Sequence, residues 1–254
     1  MLSLALKKIF IFFFIILGFI FLPILNAEDL REIKKWDRIE NLIFEEIQSI
    51  KKNKPMTAEN YYRVLELLSE RLSIIKKREN YLLINFGDQL NPLIKKSRIS
   101  RLKSLRKRNY LKIKKLGEGA LRKKISKKVK GKISFLLGLN SRDFSDGSGL
   151  VKYLKMALRF KASKNLNYKI HVQLAEHYYN EKKFSNALYH YNIVLKHSKP
   201  DWYYKHFFNA SWCLFRLKKR KVALNNLEKI FMEEKKWNYF QNKKIVMESY
   251  FIFS

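Results

Sequence analysis

From Glu28 to Lys52 the apolar residues fall at Leu30, Ile33, Trp36, Ile39, Ile43, Ile47 and Ile50. Steps of three and four return to the same side of a 3.6-residue spiral, so this spacing predicts one amphipathic helix that stops in the segment 51–55. A second stripe at Tyr61, Leu65, Leu68, Leu72 and Ile75 predicts a helix from Thr57 to about Asn85. Two one-sided helices in succession bury their stripes against each other as a hairpin. Asn91-Pro92 reads as a cap followed by a proline in the first turn and opens a third helix. That helix is expected to run to Leu116 and to break at Gly117 and Gly119. Leu121, Ile125, Val129, Ile133 and Leu136 predict a fourth helix, weakened at Gly131. Asn140 to Gly149, rich in Ser, Asp and Gly, reads as a loop and as the main boundary in the chain.

Beyond that boundary the pattern changes from plain stripes to an alternation of small and large residues. Leu174-Ala175 and Tyr178 are followed by Ala187-Leu188, Tyr191 and Val194, which suits two helices that cross where the side chains are small. The same order returns in Ala210, Ser211 and Leu214, then Ala223-Leu224, Leu227 and Ile230, and Ala187 to Ala223 is a step of 36 residues. Gly149 to Phe160 has the features of a second helix from an earlier, degenerate unit, and Ile245 to Ser254 those of the opening of a later one.

On these residues the segment resembles the tetratricopeptide repeat (TPR) family, whose unit is a pair of helices with a period of about 34 residues. Leu174, Ala175, Tyr178, Ala187 and Tyr191 match the family pattern in type. Val194 replaces a second small residue, Pro200 falls one position late, and an insertion of two residues is placed in the turn Asp201 to Tyr204. The resemblance implies a solenoid whose concave groove is lined by the first helix of each pair. By that register the partner-binding residues are Lys169, Val172, Glu176 and Tyr179 in one unit and Lys205, Phe208, Trp212 and Phe215 in the next. The family's clamp for a terminal carboxylate needs lysine and asparagine where this chain has Val172, Glu176, Phe208 and Trp212, so that variant is absent. An aromatic groove suits an apolar or helical segment of a partner protein. The alternative for the same aromatics is that they pack as core against neighbouring helices.

Composition narrows the picture further. Eight glycines and four prolines in 254 residues argue against a turn-dense β fold, and 47% hydrophobic content is enough for a packed core. The fold class is therefore all-α. A single cysteine, Cys213, excludes an internal disulfide framework. Lys7 and Lys8 precede a charge-free apolar run from Ile9 to Leu25, and Glu28-Asp29 follow it. This is the plan of a signal peptide cleaved after Ala27 or of a retained N-terminal anchor. In either form it directs the body of the chain across the inner membrane to the periplasmic side. The layout is thus residues 1–27 as signal or anchor, 28–139 as a basic helical region, 140–149 as a linker, and 150–254 as TPR-like repeats at 167–200 and 203–236. The apolar ending Tyr250-Phe251-Ile252-Phe253-Ser254 reads as a truncation or as a solenoid end covered by a partner.

The net charge of +32 is concentrated between Lys95 and Lys132, where eighteen basic residues face Glu118 alone. Such a stretch is a solvated face, a contact for anionic lipid or acidic protein, or a track for phosphates. Export disfavours nucleic acid among these partners. Catalytic patterns are weak throughout. Gly117-Glu118-Gly119 lacks the third glycine and preceding strand of a kinase loop. Asp143 to Gly149 lacks the alternating ligands of a calcium loop. His171, His177, His190, His197 and His206 are never three or four apart, the spacing that puts two metal ligands on one helix face. The sequence points to no catalytic residue, metal or cofactor. It points to a non-enzymatic, envelope-associated scaffold whose partner is another envelope protein and which also has a surface for anionic membrane. The alternatives are a binder of anionic lipid or another polyanion with merely structural repeats, and an unrecognised envelope enzyme.

Overall fold

In the computed structural model, which describes residues 27–52, 55–85, 92–160, 163–197 and 200–232, all regular structure is helical. The helices are α1 (Ala27–Lys52), α2 (Ala58–Asn85), α3 (Pro92–Leu121), α4 (Lys127–Asp143), α5 (Gly147–Arg159), α6 (Lys164–Asn180), α7 (Phe184–His197), α8 (Pro200–Arg216) and α9 (Arg220–Met232). The chain divides into two compact units, residues 1–116 and 117–254. This division falls inside α3 and not in the 140–149 segment. The signal-like run, the Asn91 cap and the apolar ending lie outside the described residues. None of the described helices is long and apolar enough to cross a membrane.

In the first unit α1 and α2 pair as the stripes predict. Trp36, Ile43 and Ile47 are buried with Leu65, Leu68, Leu72 and Ile75. The burial of one such side chain contributes about 1.5–3 kcal/mol. Polar partners fix the pairing as antiparallel: Arg63 bonds Glu46 at 2.7 Å, Arg71 bonds Glu40 at 2.8 Å, and Arg78 bonds Asp37 at 2.7 Å. Trp36 meets Tyr81 edge-on at 5.4 Å. Arg106 of α3 forms an ion pair with the buried Glu79 of α2 at 2.9 Å.

In the second unit the described helices pack in chain order as three pairs, α4 with α5, α6 with α7 and α8 with α9. The first helix of each pair stops in the same way. Ser145, Lys182 and Lys218 have φ values of 63°, 58° and 63° and are separated by 37 and 36 residues. After each, the next N–H reaches back five residues: Asp146 to the Ser141 carbonyl, Lys183 to Tyr178 and Lys219 to Leu214, at 2.8–2.9 Å. This is the left-handed cap that closes a helix and turns the chain back.

The same offsets place Gly138, Ala175 and Ser211 at equivalent buried sites where paired helices cross. At Gly138 an added Cβ would lie 2.7 Å from Leu154 Cδ2. A core of Leu150, Leu154, Ile170, Leu174, Ala175, Ala187, Tyr191, Ala210 and Cys213 runs through all three pairs. Tyr204, Ala223, Leu227 and Ile230 form a second cluster between α8 and α9.

Several boundaries differ from those the sequence predicts. α3 continues through Gly117 and Gly119 to Leu121. Gly117 is buried where an added Cβ would meet Leu137 at 2.7 Å, so the residue read as a break is a point of close approach. Ile125 lies in the following turn, and Ser126 caps α4 by accepting from the Val129 N–H. The predicted loop at Asn140–Gly149 shrinks to Phe144–Asp146, inside a helix pair. Asp146 begins α5 by accepting from the Gly149 N–H at 2.8 Å. Asp201 to Tyr204 is helical, and Pro200 opens α8 where a repeat end was expected.

Candidate functional site

The first helices of the three pairs line a groove of about 400 Å³. Phe135, Leu139 and Arg142 come from α4, Val172, Gln173 and Glu176 from α6, and Trp202 and Lys205 from α8, with Tyr168, Lys169 and His206 completing the wall. The common register explains this lining. Phe135 and Leu139 stand 37 residues before Val172 and Glu176, on the corresponding face of the preceding first helix.

Charges in the groove are held in place. Glu176 sits 3.5 Å from the Lys205 ammonium, which also lies 5.1 Å from the Trp202 ring centroid. Arg142 donates to the Gln173 side-chain oxygen at 2.5 Å and to Asp143 at 2.8 Å. Burial and the Glu176 carboxylate raise the Tyr168 hydroxyl above its ordinary value of 10, so it stays protonated. Its oxygen is 3.4 Å from His206 Nε2. Burial, then the neighbouring Lys205, pushes the His206 imidazole down to about 4. Neutral near pH 7, His206 leaves its Nδ1 without a hydrogen-bond partner among the described residues. The result is an apolar floor with cations at Arg142, Lys169 and Lys205, one carboxylate, and a polar imidazole at the wall.

Of the eight groove residues expected from the register, Lys169, Val172, Glu176 and Lys205 line this cavity. The other four lie elsewhere on the same helices. Tyr179 is half-buried and meets Phe184 and Tyr191 edge-on at 6.0 and 6.5 Å. Phe208, Trp212 and Phe215 pack against the α8–α9 cluster, where Arg216 stacks on Trp212 at 5.4 Å and Arg220 on Phe215 at 5.7 Å. Phe135, Leu139, Arg142 and Trp202 were missed by the sequence reading. The first three lie on a helix whose repeat was hidden by glycine, and Trp202 sits in a segment read as a turn.

The histidines meet across helices, where spacing along one helix gives no sign of them. His171 of α6 and His190 of α7 are 2.8 Å apart through their Nδ1 atoms, and Tyr178 stacks on His190 at 5.6 Å. Burial, then His171 and Lys155, lowers His190 to about 4. Among the described residues no group of three or more His, Cys, Asp or Glu side chains stands where it could hold a metal ion. Cys213 is buried between helices, which pushes its thiol up to about 12.

No family model matches the chain, and no curated protein matches it. Among solved structures, the chain is similar to the crystal structure of YrrB, described as a TPR protein with an unusual peptide-binding site. The similarity covers 80% of this chain and 95% of that one, at 17% identity and a TM-score of 0.43. The helix-pair build of this chain rests on its own packing: three equivalent turns, three small residues at the crossings, and one face of each first helix turned to a shared groove.

Proposed function

We propose that this chain is a non-enzymatic scaffold, envelope-associated on the periplasmic side, which binds a segment of another envelope protein along the groove of α4, α6 and α8. The observation that carries the reading is the convergence of Phe135, Leu139, Val172 and Trp202 with Arg142, Lys169 and Lys205 in one concave site. Such a site suits a segment with an apolar anchor beside acidic side chains. The anchor supplies buried area, and the cations give orientation and faster encounter more than raw affinity. Export supports the compartment through the Lys7-Lys8 and Ile9–Leu25 pattern.

The test is cross-linking capture from native membranes by the tagged full chain, followed by binding measurements with the purified partner. Trp202→Ala and Lys205→Glu are each expected to weaken binding at least tenfold while helicity is unchanged. Lys205→Glu also places a second carboxylate beside Glu176, so an acidic partner segment meets repulsion. Unchanged affinity in both variants would remove the groove as the binding site.

A further inference from the structure

The groove leaves unused the densest charge in the molecule, which lies on α3. From Pro92 to Gly117 this helix contains no carboxylate. Arg106 turns inward to Glu79, and Tyr110 and Ile113 are buried, which fixes the opposite side of the helix as its outer face. At about 100° per residue, Lys96, Lys103 and Lys107 fall within about 40° of one another along one edge of that face. Arg101, Arg108, Lys112 and Lys115 fall within about 60° along the other edge. All seven are exposed, and none forms an ion pair among the described residues. Between the two rows lie Ser100, Ser104 and Leu111, exposed as well, with Leu111 at 51%. Seven like charges left without counter-ions on one helix face are a standing site for a polyanion.

We infer that this face of α3 is a docking surface for anionic lipid headgroups, laid flat on the membrane with the two rows of cations on the phosphates and Leu111 between them. The choice of lipid over nucleic acid rests on the export reading proposed above, because the apolar run at Ile9–Leu25 brings the chain to a membrane during export. If the apolar run is retained as an anchor, it and the polybasic patch make a stable two-signal attachment; if it is cleaved, the patch acts alone. Each basic residue near an anionic surface contributes about a fivefold change in partitioning, so the loss of four corresponds to several hundredfold.

The experiment is co-sedimentation of the full chain with vesicles of neutral phosphatidylcholine and with vesicles containing 30% phosphatidylglycerol, the apolar run supplying the same baseline in both. The wild type is expected to favour the anionic vesicles at least a hundredfold at low salt, with the preference shrinking as salt rises. A variant with Lys103, Lys107, Arg108 and Lys112 replaced by glutamine, a good helix former, is expected to lose that preference with unchanged circular dichroism. Glutamine at the exposed lysines 182, 183, 218 and 219 removes the same net charge elsewhere and is expected to leave the preference in place. Equal partitioning of the wild type into both vesicles would overturn the inference, as would an equal loss in the second variant. Tighter binding to a 20-base-pair duplex than to the anionic vesicles would assign the face to nucleic acid instead. The groove variant Trp202→Ala is expected to partition as the wild type, so this test and that of the groove fail separately. The export reading itself is checked by whether the tagged chain fractionates with the envelope.

Discussion

Lys182 and Lys218 occupy left-handed backbone that only glycine adopts without cost, yet both are exposed and carry no ion pair that would require the ammonium. For Lys182→Gly and Lys218→Gly we therefore expect a gain of about 0.5–1 kcal/mol each in urea unfolding, where Ala at either site gives none. His190 and His206 work in the opposite direction as pH falls. Each has an ordinary value of 6.5 and is held near 4 by burial, and each faces cations: Lys155 beside His190, with His171 at 2.8 Å, and Lys205 beside His206. The unfolded chain takes up protons first, so their contribution is complete above pH 6.5 and is lost progressively as pH falls through 4. A depression of that size corresponds to on the order of 3 kcal/mol per imidazole. Stability measured from pH 7.5 to 4 is expected to fall, and His190→Gln with His206→Gln is expected to flatten the curve. An unchanged slope in the double variant would clear these two imidazoles of the loss. None of this was legible in the sequence, because the His171–His190 contact joins two helices and depends on how they pack.

Glycine separates what an element needs from what its sequence suggests. Gly117, Gly119 and Gly138 all weaken a helix on propensity alone, by about 1 kcal/mol relative to alanine. Their surroundings divide them. Gly119 has nothing within 4 Å of an added Cβ, so Gly119→Ala is expected to raise the melting temperature by a few degrees. Gly138→Ala presses on Leu154, itself fully buried, and is expected to lower stability by about 1–3 kcal/mol. A second contrast lies on α8. Trp212→Ala removes a half-buried ring from the α8–α9 cluster and is expected to cost about 2 kcal/mol, whereas Trp202→Ala changes binding with little loss of stability. Paired chemical unfolding and binding curves for the two variants check this directly.

The α6 to α9 pairs were readable because Ala175, Ala187, Ala210 and Ala223 are all buried and alanine is also a strong helix former. The α4–α5 pair was half readable. Its crossing residue is Gly138 and its turn is crowded with Ser, Asp and Gly, so local signals for a break masked a helix pair that tertiary packing holds together. The α1–α2 hairpin was legible throughout, since each helix carries a one-sided apolar stripe and the two stripes are buried together. The groove followed the register as far as its lysines, Val172 and Glu176, and departed from it where the α8 aromatics found closer partners in α9.

The equal phase of Ser145, Lys182 and Lys218 makes groove length a countable property of the chain. Contacts run between sequence neighbours, so each pair answers only to the one before and the one after it. Excision of residues 164–199 joins α5 to α8 with the same phase that it now has with α6. The shortened chain should still melt as one cooperative species while offering a partner two first helices in place of three. Duplication of that stretch should lengthen the ledge by the same increment, so that reach along a bound segment is set by copy number with every side chain unchanged.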